Sequence, residues 1–120
     1  MRITFLLIAF ILCMSSFCII MKDETILWQK NRLLTWKDYK GKPAKRFAAA
    51  STFYNIVKTI SKTNETSSKV TIEALFFCEK SWMKKSWVNN SVLEHEQKHF
   101  DIVEIFSRKL RKIIIENKGL

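Results

Sequence analysis

Two segments in the middle of the chain have side chains that repeat with a period of two. In the first segment, residues 52–61, Tyr54, Ile56 and Ile60 alternate with Phe53, Val57 and Thr59. A period of two with β-branched and aromatic residues is typical of a β-strand, here with two apolar faces. Residues 70–76 alternate in the same way, and the polar residues 62–69 separate the two segments. The pattern predicts an antiparallel hairpin.

The C-terminal segment changes to a helical period. Residues at spacings of three and four are Val92, His95, His99, Ile102, Val103, Phe106, Leu110 and Ile113. This stripe predicts a long helix that turns these positions towards the core. Ser91 and Glu94, three residues apart, predict a capping box at its start, and Gly119 predicts its end.

The order of these elements indicates the fold class. Residues 27–41 are rich in Trp and Tyr and end at Gly41, shortly before Pro43, so we interpret them as a short strand or turn. Strands followed by one long helix predict an α+β domain, in which an antiparallel sheet packs against the C-terminal helix. The chain has 120 residues, which is enough for one such domain.

The N-terminus has the order of a secretory signal, because Arg2 precedes an uninterrupted apolar run. We therefore predict a signal peptide or N-terminal anchor at residues 1–21 and the functional domain at residues 22–120. Three alternatives stay open: cleavage near Cys18, an uncleaved anchor, since about 20 apolar residues span a bilayer, and a lipoprotein modified at Cys18. Each predicts an exported protein that is periplasmic, extracellular or membrane-anchored.

The net charge of the chain indicates which kind of partner it binds. The net charge is +10, but the lysines are scattered between apolar residues and no nucleic-acid motif concentrates them. We expect no nucleic-acid partner and propose an anionic envelope surface instead.

Cys78 is the one cysteine after residue 21, so the domain has no internal disulfide. We interpret Cys78 as a small buried hydrophobe, because no third histidine could activate a thiol nucleophile.

The predicted helix carries the motif His95-Glu96-Gln97-Lys98-His99. Residues i and i+4 share a helix face, so both imidazoles can bind one zinc ion (Zn²⁺). In HExxH enzymes the glutamate is not a ligand but the general base that takes a proton from the attacking water. The two histidines are the only ones in the chain, and both lie in the helical stripe.

Several segments together resemble one protein family. They are Leu34-Thr35-Trp36-Lys37-Asp38-Tyr39-Lys40-Gly41, Ala48-Ala49-Ala50-Ser51-Thr52, Ser81-Trp82, and the run from Leu93 to Ile102 followed by Glu104 and Arg108-Lys109-Leu110-Arg111. The chain is similar in these segments to the DUF922 family, bacterial proteins predicted to be secreted zinc-dependent proteases. The resemblance implies a small zincin-like domain with His95 and His99 as ligands and Glu96 as catalytic base.

The third zinc ligand stays open between three carboxylates. Asp101 and Glu104 fit the family pattern, and Glu104 is our first choice. On a straight helix, however, Asp101 points about 200° and Glu104 about 140° away from His99. Either the helix breaks after Phe100, or these groups orient other side chains around the metal. Glu116 would require the chain to turn back.

The sequence supports two functions of different classes. The favoured one is an exported zinc metallopeptidase that takes a peptide or protein substrate along a sheet edge. The alternative is a non-catalytic envelope-binding module whose metal site is structural. Trp82 and Trp87 are tempting as a carbohydrate platform, but we interpret them as core residues beneath the start of the helix.

Overall fold

The computed structural model describes residues 23–117. The predicted signal at residues 1–21 and the predicted helix stop at Gly119 lie outside these residues, so both stay predictions. Within residues 23–117, no helix is long and apolar enough to cross a membrane.

The described chain is α+β, as predicted. Its five strands are β1 (Thr25–Leu27), β2 (Ala50–Ser51), β3 (Tyr54–Lys62), β4 (Ser68–Phe77) and β5 (Trp82–Met83), and its helices are a 3-10 turn at Trp36–Asp38 and α1 (Asn90–Glu116). Two antiparallel sheets form, one in the order β1-β4-β3 and one from β2 and β5. The predicted hairpin is confirmed: Tyr54 lies opposite Phe76, and Lys62 lies opposite Ser68.

The core lies between β4 and α1. Alternation along β4 turns Ile72, Ala74 and Phe76 inward, and all three are buried. The Phe76 ring contacts the rings of Tyr39 and Phe100, with centroids 5.2 and 6.0 Å apart. The helix, the central strand and the loop that carries Tyr39 therefore share one aromatic cluster. The outer half of the hairpin reaches past this core, since the residues of β3 from Lys58 onward are exposed.

The helix begins earlier than the predicted capping box. Asn89 is the N-cap, and its side-chain oxygen accepts a hydrogen bond from the Val92 N–H at 3.0 Å. The prediction that Ser91 caps the helix together with Glu94 is therefore wrong, because Ser91 already lies in the first turn. Asparagine caps a helix as well as serine does, so the asparagine two positions upstream satisfies the free N–H instead.

The buried face of α1 also differs from the predicted stripe. Its buried residues are Glu96, Phe100, Val103, Glu104 and Ser107. The centre of this buried face lies about 100° around the helix axis from the centre of the predicted apolar stripe. Val103 is the one residue that belongs to both sets. Three of the buried residues are polar and hydrogen-bonded, to Thr52, to two arginines and to a backbone carbonyl. Apolar periodicity cannot detect such a face, whereas Ile102, Phe106 and Ile113 of the predicted stripe are exposed.

The loop after the 3-10 turn is fixed against the β4–β5 connection at a glycine. The Gly41 N–H donates to the Ser81 carbonyl at 2.8 Å. A Cβ at position 41 would lie 2.6 Å from the Glu79 carbonyl oxygen, so no larger residue fits without a backbone shift. This close approach holds the preceding loop, and with it the Tyr39 ring, in the core.

Candidate active site

The two histidines of the HExxH motif converge on one point. Their Nε2 atoms lie 3.0 Å apart, and the ring planes are nearly perpendicular, at 87°. Two ligands of one tetrahedral zinc ion with Zn–N bonds of about 2.0–2.1 Å lie roughly 3.3 Å apart. The spacing of His95 and His99 is thus close to that of a two-imidazole zinc site. It also allows an N–H···N hydrogen bond between the two rings.

Glu96 is buried beside this pair and held by a chain of hydroxyl groups. The Thr52 hydroxyl donates to Glu96 Oε2, and the Tyr39 hydroxyl lies 2.8 Å from Thr52 Oγ1. A threonine hydroxyl has one hydrogen, which goes to the carboxylate, so the Tyr39 phenol must donate to Thr52. Burial, aided by the negative charges of Glu96 and Asp38, raises the pKa of Tyr39 well above its ordinary value and keeps this phenol a donor.

A cavity opens beside the histidine pair. Its volume is about 210 Å³, and its lining residues are Ala50, Ser51, Thr52, Tyr54, Glu96 and His99. Glu96, His99 and the start of β3 therefore meet at one small opening. The Tyr54 side chain is partly exposed on its wall, where a phenol hydroxyl can donate to a negatively charged oxygen.

A larger cavity, of about 450 Å³, lies elsewhere along α1, and its lining includes Leu33, Leu93 and Lys98 but neither histidine nor Glu96. Two of its polar side chains, Gln97 and Asp101, are already hydrogen-bonded within the fold. The Gln97 side chain accepts from the Leu34 N–H, and its amide donates to Asp101. We therefore place the candidate site at the smaller opening, where the chemically active side chains meet.

The three carboxylates considered as third ligand lie on other parts of α1. Glu104 accepts hydrogen bonds from Arg108 Nε at 2.9 Å and from Arg111 Nη1 and Nη2 at 3.0 and 3.1 Å. Burial alone would raise the pKa of Glu104, but the hydrogen bonds and charges of the two arginines outweigh it and lower the pKa. The Glu104 carboxylate is thus engaged within its own ion-pair cluster.

Asp101 and Glu116 have partners of their own. Asp101 accepts from the Trp28 indole N–H and from the Gln97 amide, both at 2.8 Å. Glu116 lies in the last turn of α1, 3.7 Å from the Lys112 ammonium group. The helix is continuous from Asn90 to Glu116, so it neither breaks after Phe100 nor turns back. Within residues 23–117, no three metal-ligating side chains cluster, and the third ligand stays a prediction.

The remaining predicted residues divide between core and surface. Cys78 is buried, as predicted, and burial raises the pKa of its thiol to about 11. Trp82 is buried on β5, but Trp87 is exposed, so the interpretation of both as core residues is wrong for Trp87. The Trp87 ring contacts the edge of Phe47, and the Lys84 ammonium lies 4.4 Å above it.

The sequence interpretation assigned no role to Thr52, Tyr39 or Tyr54. Thr52 and Tyr39 belong to the segments that carry the family resemblance. That resemblance is the one feature of the sequence that pointed to them. Thr52 contacts Glu96 across 44 residues of chain, and Tyr39 acts on Glu96 only through Thr52, so no local spacing reveals this arrangement.

Comparison with known proteins adds no relative: no family model, no curated protein and no solved structure matches this chain.

Proposed function

We propose that this protein is an exported zinc-dependent metallopeptidase. The observation that carries the proposal is the convergence of His95 and His99 beside a buried, oriented Glu96. An isolated buried carboxylate is costly, and a threonine hydroxyl that fixes it next to two imidazoles is an arrangement suited to general-base catalysis. The HExxH spacing and the resemblance to the DUF922 family, with its zincin-like fold, support the same function.

In this proposal His95 and His99 hold the metal through their Nε2 atoms. When bound, zinc supplies Lewis acidity, which polarises a carbonyl group and makes water a stronger acid. Glu96 takes the proton of the attacking water. The hydrogen bond from Thr52 to Oε2 orients the carboxylate so that Oε1 serves as the base, and Tyr39 in turn fixes Thr52.

Tyr54 supplies the further donor that amide hydrolysis needs. The carbonyl oxygen of the substrate becomes negatively charged when water attacks, and a donor aimed at this oxygen lowers the barrier. The Tyr54 side chain lines the same cavity as Glu96 and His99. Its phenol therefore donates to the developing oxyanion in the proposed mechanism.

The free edge of β3 is the proposed path for the substrate. In the β1-β4-β3 sheet, β3 pairs on one side with β4 and is the edge strand. An extended peptide can add to such an edge through backbone hydrogen bonds. Because Tyr54 begins β3 and also lines the cavity, a peptide that pairs with this strand leads towards the histidines.

Metal content and cleavage of a peptide library, measured on the full chain, test the proposal. We expect about one zinc per chain, and loss of zinc in His95→Ala and His99→Ala. Glu96→Gln should keep the zinc and lose about 10²- to 10⁴-fold in cleavage rate, which is the usual contribution of a general base. Glu94→Gln, an exposed carboxylate in the same helix, is the matched control and should keep both.

Three outcomes would contradict parts of this reasoning. Background zinc in the unmutated protein under zinc-replete conditions would exclude the metal site. A Glu96→Gln variant that cleaves as fast as the parent would exclude Glu96 as the base. If zinc is bound but only sets the melting temperature, and no peptide is cleaved, the alternative of a binding module with a structural metal is correct.

A further inference from the structure

We propose that the outer face of α1 docks on the surface of an anionic phospholipid bilayer. This outer face consists of Ile102, Ile105, Phe106, Lys109, Lys112 and Ile113, all of which are exposed. The proposal concerns where the protein sits and does not depend on the proposed peptidase activity.

The exposed part of this helix contains two kinds of side chain. From Ile102 to Ile115, every exposed residue is either apolar or cationic. The one acidic residue in that stretch, Glu104, is buried and paired with two arginines. The surface therefore combines apolar area with the positive charges of Lys109 and Lys112, of which Lys112 also lies 3.7 Å from the exposed Glu116 at the end of the helix.

The apolar residues of the outer face form a continuous stripe. Ile102, Phe106 and Ile113 are 50%, 55% and 53% exposed. With Lys109 they fall within about 60° of the helix circumference. The stripe extends into a groove of about 330 Å³ beside β3, where Ile56 and Tyr54 face Ile102 and Phe106.

Charge complementarity selects a bilayer as the occupant. An amphipathic helix with Phe and Ile on one side and Lys beside them binds at the interface of anionic membranes, with its apolar face at the acyl boundary. Each lysine near such a surface strengthens binding about fivefold. A second copy would bring Lys109 and Lys112 against their own equivalents in a chain of net charge +10. A nucleic acid would pair with the lysines but leave the isoleucines in water.

The docked orientation has a consequence for the candidate site. His95 and His99 lie on the same side of α1 as Ile102 and Phe106, since these positions recur at spacings of three, four and seven residues. A helix lying on the bilayer through its outer face therefore places the histidine pair next to the lipid surface. This consequence, unlike the docking itself, rests on the proposed function: the substrate available there would be a peptide segment close to a membrane.

Vesicle sedimentation with the full chain tests the proposal. The probes are phosphatidylcholine vesicles with and without 30% phosphatidylglycerol. The parent should bind the mixed vesicles at least tenfold more tightly, and added salt should weaken this binding. Lys109→Gln with Lys112→Gln should weaken it about 30-fold, while Lys42→Gln with Lys45→Gln, an exposed pair in the loop before β2, should weaken it no more than about threefold.

A second pair of variants tests the apolar part. Ile102→Ser with Ile113→Ser should reduce binding at least tenfold, because the apolar area that enters the interface is lost. The matched control is Leu33→Ser with Ile60→Ser, two exposed aliphatic residues outside the outer face, which should bind like the parent. All four variants keep residues 1–22, so any lipid binding by that segment is common to all of them. Circular dichroism of each variant confirms that it is folded.

A tryptophan placed in the face reports its contact with lipid directly. Phe106→Trp should add fluorescence that brominated lipids quench, and Ile60→Trp should not. Equal binding to both kinds of vesicle, or parent-like binding of Ile102→Ser with Ile113→Ser, would overturn the proposal. Sensitivity to the lysine pair alone would show that charge attracts the protein to the vesicles without insertion of the apolar stripe, and would also overturn the proposal. A dimer in sedimentation analysis that the isoleucine pair disrupts would indicate that a second copy covers the face.

Discussion

Replacing Glu104 with glutamine separates a structural role from the predicted role as zinc ligand. The substitution preserves the volume of the side chain and removes its charge. In the structure, Glu104 accepts three hydrogen bonds from Arg108 and Arg111, and Arg111 Nε also donates to the Ile72 carbonyl at 2.8 Å. The cluster therefore connects α1 to the central strand β4.

The size of the effect follows from the exposure of the partners. Hydrogen bonds to charged groups contribute about 1.5–3 kcal/mol each, and breaking a buried ion pair costs about 3–5 kcal/mol. The side chains of Arg108 and Arg111 are 62% and 36% exposed, so water replaces part of what they lose. We expect Glu104→Gln to lower the free energy of unfolding by about 2 kcal/mol. In a domain of this size that corresponds to about 8–16 °C in melting temperature.

The stabilising contribution of Glu104 should be lost at low pH. Because the folded-state pKa of Glu104 is lowered, its stabilising contribution is present above the unfolded pKa of about 4.3 and is lost as the pH falls through the lower folded value. The difference in melting temperature between parent and Glu104→Gln should therefore be full at pH 7. It should shrink as the pH falls below about 4.

Thermal unfolding and zinc content of both forms, measured together, decide between the roles. Glu116→Gln is the matched control, since Glu116 was also considered as a ligand but forms only an exposed i,i+4 pair with Lys112. It should change stability by less than about 0.5 kcal/mol. If Glu104→Gln loses its zinc while the metal-free melting temperature stays at the parent value, the ion-pair interpretation is refuted and Glu104 is a ligand.

Two more predictions concern single side chains. Thr52→Val keeps the shape of the side chain but leaves the Glu96 carboxylate without its hydrogen-bond donor, so peptide cleavage should fall at least about tenfold with zinc content unchanged. The control is Thr59→Val, at an exposed position. Equal cleavage rates for the two variants would show that Thr52 does not orient the base. Burial raises the pKa of the Cys78 thiol to about 11, so little reactive thiolate is present at pH 8. The thiol should therefore react with iodoacetamide at least about 100-fold more slowly in the folded chain than in urea. Mass spectrometry of the peptide that contains Cys78 measures both rates. Equal rates in the two states would contradict its burial.

Local patterns predicted the long hairpin and the C-terminal helix of this fold, but not the two-residue strands β2 and β5. The β3–β4 hairpin follows from a period of two interrupted by one polar segment, and the helix follows from a period near 3.6 over more than 20 residues. The paired histidines are also local, since residues four apart on a helix always share a face. For these features the sequence contains all of the necessary geometry.

Tertiary features escaped prediction for a physical reason. The buried face of α1 is rich in hydrogen-bonded polar residues, so counting apolar positions selected the outer side of the helix instead. Whether Glu96 or Glu104 can be buried depends on partners such as Thr52 and Arg111, and those contacts form only after the chain has folded. The two carboxylates that fit the family pattern are likewise held by other side chains: Asp101 by Trp28 and Gln97, and Glu104 by Arg108 and Arg111.

Under the proposed function, the contact between Thr52 and Glu96 separates the binding of zinc from the orientation of the base in the order of folding. The two histidines come together as soon as the helix winds, whereas Thr52 reaches Glu96 only when a loop of 44 residues has closed. A nascent chain would therefore bring its two proposed zinc ligands together before its proposed base is oriented. Hydrolytic power would then appear only in the finished fold, and a half-folded copy would carry the metal without endangering the proteins around it.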